Sequence, residues 1–238
     1  MVRSVIYLKP NYYIIGDSVH NTKKGKVECN FVSACPMDVE EKYIQYRGRK
    51  SHLYQFLLSS ERIDINTRQL LDDRDNFVSG VSIETASDTD QVSYLNLLYP
   101  TDQRQPPFIK TNKDETGLSI QLISTSEDDL ILQKSVQEKI VTIGDVQSDC
   151  EYIVLRKRDG NLFCIGFFQG TFLKIKDRKI IQTDKKTSLI CYLLRNNVFG
   201  EAISSEETLV RFSMFNDQIL LTLSETDETG YSSFASVR

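Results

Sequence analysis

Apolar and polar residues alternate along most of the chain. Residues 3–19 form two such runs that meet at Lys9-Pro10-Asn11. Val5, Tyr7 and Lys9 share one face of the first run. Tyr12, Ile14 and Gly16 share one face of the second, with Tyr13, Ile15 and Asp17 on the other. A period of two places successive side chains on opposite faces of a strand. β-Branched and aromatic residues fill both runs and a Pro-Asn pair separates them, which predicts a β-hairpin. A hairpin that begins at residue 3 is expected to continue a larger protein.

The same period recurs downstream. Strands are predicted over residues 26–34, 42–47, 52–58, 61–66 and 77–85. Residues 91–99 are denser in apolar side chains, which predicts a strand buried on both faces and stopped by Pro100. Pro100, Pro106 and Pro107 bracket the clearest loop, residues 101–107. From Gly117 onward, short strands are predicted over 118–123, 129–136, 139–143, 151–158, 162–168, 171–175, 178–182, 188–194, 197–203, 209–212 and 218–223. Asp159-Gly160-Asn161, Gln169-Gly170, Asp177 and Asn196-Asn197 read as the turns between them. A spacing of about 8–12 residues with regular turn signals predicts a sandwich or stacked sheets. No amphipathic helical pattern exceeds two turns. The expected fold is therefore all-β, a large antiparallel β-sandwich with little or no helix. Residues 1–238 are read as one unit, with a seam at residues 110–117.

Composition narrows the function. The 238 residues and 40% hydrophobic content suffice for a large β-unit. The net charge of -4 gives no bulk electrostatic case for nucleic acid. No run approaches the ~18 apolar residues of a membrane span, and Lys9, Pro10 and Asp17 interrupt any signal peptide at the start. The five cysteines lack CxxC spacing. Cys29, Cys164 and Cys191 sit in apolar runs, as buried free thiols do, and nothing supports a catalytic thiol or a disulfide pair.

The two histidines, His20 and His52, are read as surface residues, and no metal or cofactor is implied. Neither a GxSxG elbow, a Walker loop nor GxGxxG is present. Asp73, Asp75 and Glu84 fit three positions of a calcium loop, but Phe77 and Val78 occupy a ligand position and the glycine position, so that motif fails. Glu127-Asp128-Asp129 and Asp227-Glu228 read as solvated loops in the same way.

Three basic groups remain: Arg47-Gly48-Arg49-Lys50, Arg156-Lys157-Arg158 and residues 174–179. Arginine binds planar carboxylates and sulfates bidentately. Tyr46, Arg47, Arg49 and Lys50, with Tyr43 and Tyr54 nearby, are the candidate contacts for an acidic polysaccharide. Alternation also puts charge on any solvent face, and the absence of tryptophan counts against a dedicated sugar-binding module.

The opening hairpin resembles a strand pair in the β-rich C-terminal half of heparinase II/III-type polysaccharide lyases. There an arginine opens a strand, a Lys-Pro-Asp-Tyr-like turn follows, and an aspartate closes the second strand, as Arg3, Lys9-Pro10-Asn11-Tyr12 and Asp17 do here. Residues 25–34, Tyr94-Leu-Asn-Leu-Leu-Tyr-Pro100 and residues 159–173 are similar to later segments of that family in the same order. The resemblance implies a uronic-acid glycan context and a secreted or periplasmic location. It also implies that the catalytic groups, a Tyr/His pair removing the C5 proton, come largely from a helical toroid and from the start of the central sheet domain, both expected upstream of these residues. Asp17 matches an aspartate that ligates a structural zinc in some members. The histidine partner is replaced here by the segment Phe31-Val-Ser-Ala34, so no metal is expected. The resulting expectation is a non-catalytic β-sandwich region of such a lyase, supporting the fold or binding substrate. The alternatives are a stand-alone β-sandwich module for glycan binding or cell-surface interaction, and a lyase completed by a second chain.

Overall fold

In the computed structural model, residues 1–8, 12–20, 25–71, 77–87, 91–135, 140–194, 197–203, 208–214, 217–223 and 231–234 are described. The turns at 9–11, 21–24 and 88–90, the acidic segments at 72–76 and 227–228, and Asn196 lie outside them. The described residues are all-β, with no helix, and every strand pairing is antiparallel. They fall into two compact units, Met1–Pro107 and Phe108–Arg238.

The first unit contains β1 (Val2–Leu8), β2 (Tyr12–His20), β3 (Gly25–Ser33), β4 (Met37–Val39), β5 (Ile44–Arg47), β6 (His52–Ser59), β7 (Ile63–Leu71), β8 (Phe77–Ser87) and β9 (Gln91–Thr101). A six-stranded sheet runs β1-β2-β9-β6-β5-β4 and a three-stranded sheet runs β3-β8-β7. Ile44, Tyr46, Val92 and Tyr94 of the larger sheet pack on Val81 and Ile83 of the smaller. Val27, Cys29, Phe31, Ile63 and Ile65 close the sides of this cluster. Full burial of such a side chain contributes about 1.5–3 kcal/mol, which is what holds the two sheets face to face.

Register follows the alternation. Ile6 pairs with Ile14 and Leu8 with Tyr12, and all four are buried. On the other face Val5, Tyr7 and Tyr13 are exposed, with Tyr7 and Tyr13 stacked at 4.5 Å. Residues 92–97 of β9 are buried on both faces, and β9 is a central strand of its sheet, between β2 and β6. Pro100 does not stop this strand: it sits within β9, opposite Leu53. Among the described residues, the pairing of β9 with β2 ends at Leu98, two residues before the proline. His20 is the last residue of β2 and is exposed.

The second unit contains β10 (Phe108–Lys113), β11 (Gly117–Ile123), β12 (Glu127–Lys134), β13 (Val141–Ile143), β14 (Val146–Ser148), β15 (Tyr152–Arg158), β16 (Asn161–Ile175), β17 (Arg178–Leu194), β18 (Asn197–Ile203), β19 (Thr208–Met214), β20 (Asp217–Leu223) and β21 (Tyr231–Phe234). The main path is β10-β11-β12-β15-β16-β17-β18-β21. β16 and β17 each serve two layers. The first half of β16 pairs with β15 and its last three residues pair with β14. β17 pairs with β19 at Ile181–Thr183 and with β18 from Ser188 onward.

The change of layer occurs at Gln169-Gly170, which is therefore a bulge inside one long strand and not a turn between two. The register shifts there, and Gln169 takes a φ of 55°. Asp149 fixes the bulge by accepting from Thr171 N at 2.8 Å, Thr171 Oγ1 at 2.7 Å and Phe172 N at 3.1 Å. Glycine is required at position 170, because a Cβ there would lie 2.2 Å from Cys150 Sγ. With the layers folded over, Val141, Val146, Leu173, Ile181 and Phe212 meet Leu132, Ile153, Ile165, Phe167 and Cys191 in one core.

Candidate functional site

The β5–β6 turn carries the residues expected to contact a polysaccharide. Gly48 N donates to Ser51 O at 2.9 Å, closing a tight turn that presents Arg49 and Lys50 to solvent. Tyr46 and Arg47 are neighbours on one strand, so their side chains leave on opposite faces. The Tyr46 ring is buried between the sheets and its hydroxyl donates to Gln55 Oε1 at 2.5 Å. Burial, and to a smaller extent the nearby Cys29, pushes its pKa from 10.0 up to about 12. Arg47 forms a two-pronged pair with Asp38, Nε–Oδ2 at 2.7 Å and Nη2–Oδ1 at 3.0 Å. Arg49 and Lys50 are thus the exposed cations of this group with no ion pair among the described residues, whereas Tyr46 is buried and Arg47 is held by Asp38.

The other two basic groups come together in the second unit. Alternation on β15 sends Arg156 and Arg158 to one face and Lys157 to the other. Arg156 is buried, with Nε 3.1 Å from Asp129 Oδ1, and its Nη2 reaches Glu127 Oε2 at 3.4 Å. Arg158 donates to Glu127 Oε1 at 2.7 Å, and both guanidinium groups lie over the Phe163 ring. Glu127, Asp128 and Asp129 consequently belong to strand β12 and not to a solvated loop. They sit in register with Arg158, Lys157 and Arg156 respectively.

Lys157 points instead into a cleft of about 540 Å³. Leu130, Ile143, Val146, Leu155 and Ile175 supply its apolar lining. Lys110, Lys157, Lys176, Asn112, Ser119 and Gln121 add polar groups, with Asp128 and Asp145 as the acids. Lys110 and Lys157 come from β10 and β15, and Lys176 comes from the β16–β17 turn. None of these three ammonium groups has an ion-pair partner among the described residues. Phe108 is 63% exposed and stands two residues from Lys110, on the same face of β10. It lies in the cross-strand row Phe108, Ile123, Asp128, Lys157.

Lys176 holds an unusual backbone. Its φ is 56°, a left-handed conformation that side chains disfavour. The facing β13–β14 turn has Gly144 at the same kind of position, with a φ of 57°. The two turns are tied together where Lys176 N donates to Asp145 O at 2.6 Å.

Sequence reasoning singled out the groups holding Lys157 and Lys176 but not their meeting place, and it missed Lys110 and Phe108. The only signal for β10 was the short run Phe108-Ile109, too brief to establish a period.

Asp17 is buried and bound by Arg3, Nε–Oδ1 at 2.7 Å and Nη2–Oδ2 at 2.9 Å. Among the described residues no group of three His, Cys, Asp or Glu side chains is arranged to hold a metal ion. All five cysteines are free thiols, with Cys150, Cys164 and Cys191 buried and Cys29 and Cys35 half-buried. Neither a family model nor a curated protein sequence matches the chain.

Proposed function

We propose that this chain is a non-catalytic β-sandwich region that binds an acidic, uronate-bearing polysaccharide, of the kind that accompanies the catalytic toroid in heparinase II/III-like lyases. The observation that carries this reading is the cleft of the second unit. Three lysines without an ion-pair partner among the described residues line it beside Asp128, Asp145 and an apolar floor, while the neighbouring arginines on the opposite face are neutralised by carboxylates. A polysaccharide with one anionic group per few sugar rings needs that combination: cations for the carboxylates, and apolar surface for the ring faces. Phe108 offers an exposed aromatic at the edge of the same face, a role in which tryptophan is missing from this chain. Arg49 and Lys50 form a second cationic patch on the first unit.

The test is titration with heparin and with uncharged dextran at two salt concentrations. The reading predicts saturable heparin binding that weakens with salt, no dextran binding, and no unsaturated uronate product from the chain alone. Equal binding of both polymers, or release of unsaturated product, would refute it.

A further inference from the structure

Among the described residues the first unit has four edge strands, β1 and β4 in the six-stranded sheet and β3 and β7 in the three-stranded one. An exposed edge offers unpaired N–H and C=O groups to other chains, and short length, charged side chains, proline or bulges guard against such pairing. Three of these edges carry a guard. β4 has only three residues. β3 presents Lys26 and Glu28 to solvent, and β7 presents Asp64 and Arg68. β1 has none of these devices. Its seven residues include neither lysine nor proline, and they pair with β2 without a break in register. Its one charge, Arg3, is held by Asp17. The three-stranded sheet packs over Ile44, Tyr46, Val92 and Tyr94. On that same face of the six-stranded sheet it leaves Val5, Tyr7 and Tyr13 exposed, the two rings stacked on each other.

We propose that β1 pairs antiparallel with β1 of a second copy of this chain, about a twofold axis, so that the six-stranded sheet continues into its mate. An axis at Val5 engages all seven residues of the strand. Val5 then lies opposite Val5, Arg3 opposite Tyr7, Ser4 opposite Ile6 and Val2 opposite Leu8. Residues opposite one another share a face of the sheet, so these are the side-chain contacts of the seam. No like charges meet in this register. Each arginine instead faces the tyrosine ring of the other copy, a cation–π arrangement, and the valines meet apolar partners. The same operation on β4, centred on Asp38, would set that carboxylate against its own copy. This self-complementarity of charge and apolar surface is what selects a second copy as the occupant of the β1 edge. The seam lies in the first unit and does not rest on the acidic-polysaccharide reading.

The experiment measures the mass of the full chain in solution by sedimentation over a range of concentrations. The expected result is twice the chain mass at high concentration, reverting to one chain mass on dilution. Val5→Lys sets two ammonium groups against each other at the axis, and Val5 is 61% exposed, so the chain itself keeps its β circular dichroism. This variant is expected to stay at one chain mass where the unmodified protein has doubled. Val32→Lys makes the same change at a 59% exposed position on the β3 edge and is expected to leave the doubling intact. Val5→Cys is expected to give, on mild oxidation with diamide, a dimer whose cross-linked peptide joins position 5 to position 5. A single chain mass at every concentration, as when the edge is covered by some other segment or protein, would overturn the proposal. So would undiminished doubling in a folded Val5→Lys variant, an equal loss in Val32→Lys, or a Val5→Cys variant that yields no cross-link at position 5.

Discussion

The backbone N–H of Lys176 donates to the carbonyl of Asp145 at 2.6 Å, and this bond joins two hairpin turns at the mouth of the lysine cleft. Each turn has one residue at positive φ, Gly144 in one and Lys176 in the other. Only the glycine is at ease there. The lysine keeps a strained backbone that holds a cation over the cleft, and such strain gathers at functional positions. Lys176→Gly is therefore expected to raise stability by about 1 kcal/mol, as the relief of strain outweighs the entropy of the added glycine. The same change should weaken heparin binding. Urea denaturation and the heparin titration read the two effects separately.

Arg3 and Asp17 face each other across the β1–β2 pair, and the carboxylate is the buried partner. Removing the arginine strands a charge. Arg3→Ala is expected to cost about 1–2 kcal/mol, less than for a fully buried pair because the arginine side chain is 46% exposed. Asp17→Asn added to Arg3→Ala should recover part of that loss, measured by urea denaturation of the two variants.

The bulge at Gln169-Gly170 is the point on which the second unit folds over. Gly170→Ala would press a Cβ to within 2.2 Å of Cys150 Sγ and 2.9 Å of Cys150 Cα. A cost of about 3 kcal/mol is expected, at the upper end for overpacking. Cys150→Ala in the same chain should recover only part of it, since the clash with the Cα remains. Denaturation of the single and double variants checks this.

Tyr46 gives the chain an alkaline signature. Its phenol has a pKa of about 12 in the folded chain against an ordinary 10.0, chiefly because of burial. Between these values the unfolded chain has lost a proton that the folded chain keeps. Stability therefore falls as pH rises from 10 to 12, and the contribution is fully present below pH 10. Tyr46→Phe should lower stability at neutral pH by about 1 kcal/mol through the lost hydrogen bond. It should also flatten the decline in stability between pH 10 and 12. Denaturation curves across that range measure both effects.

Much of the fold was legible because alternation is a local signal. The opening hairpin, the doubly buried β9 and the near absence of helix all follow from period two and turn residues. What stayed hidden depends on partners distant in sequence. Gln169-Gly170 has the composition of a turn, and only Asp149 and Cys150, packed beside it, make it a bulge. Residues 183–187 (Thr-Asp-Lys-Lys-Thr) look like a loop but continue β17, with Asp184, Lys185 and Lys186 exposed. The site was half legible. A basic cluster can be seen in sequence, but which of its charges are neutralised cannot. Arg156 and Arg158 are spent on Glu127 and Asp129, whereas Lys157, between them, has no ion pair among the described residues.

The most direct measurement is heparin titration of the triple variant Lys110→Ala/Lys157→Ala/Lys176→Ala beside the unmodified chain, with Arg158→Ala as a paired-cation control. The account predicts a loss of affinity of about tenfold or more in the triple variant, corresponding to at least ~1.4 kcal/mol, and little change in the control. Unchanged affinity in a folded triple variant, or an equal loss in Arg158→Ala, would contradict the assignment of the cleft as the binding site.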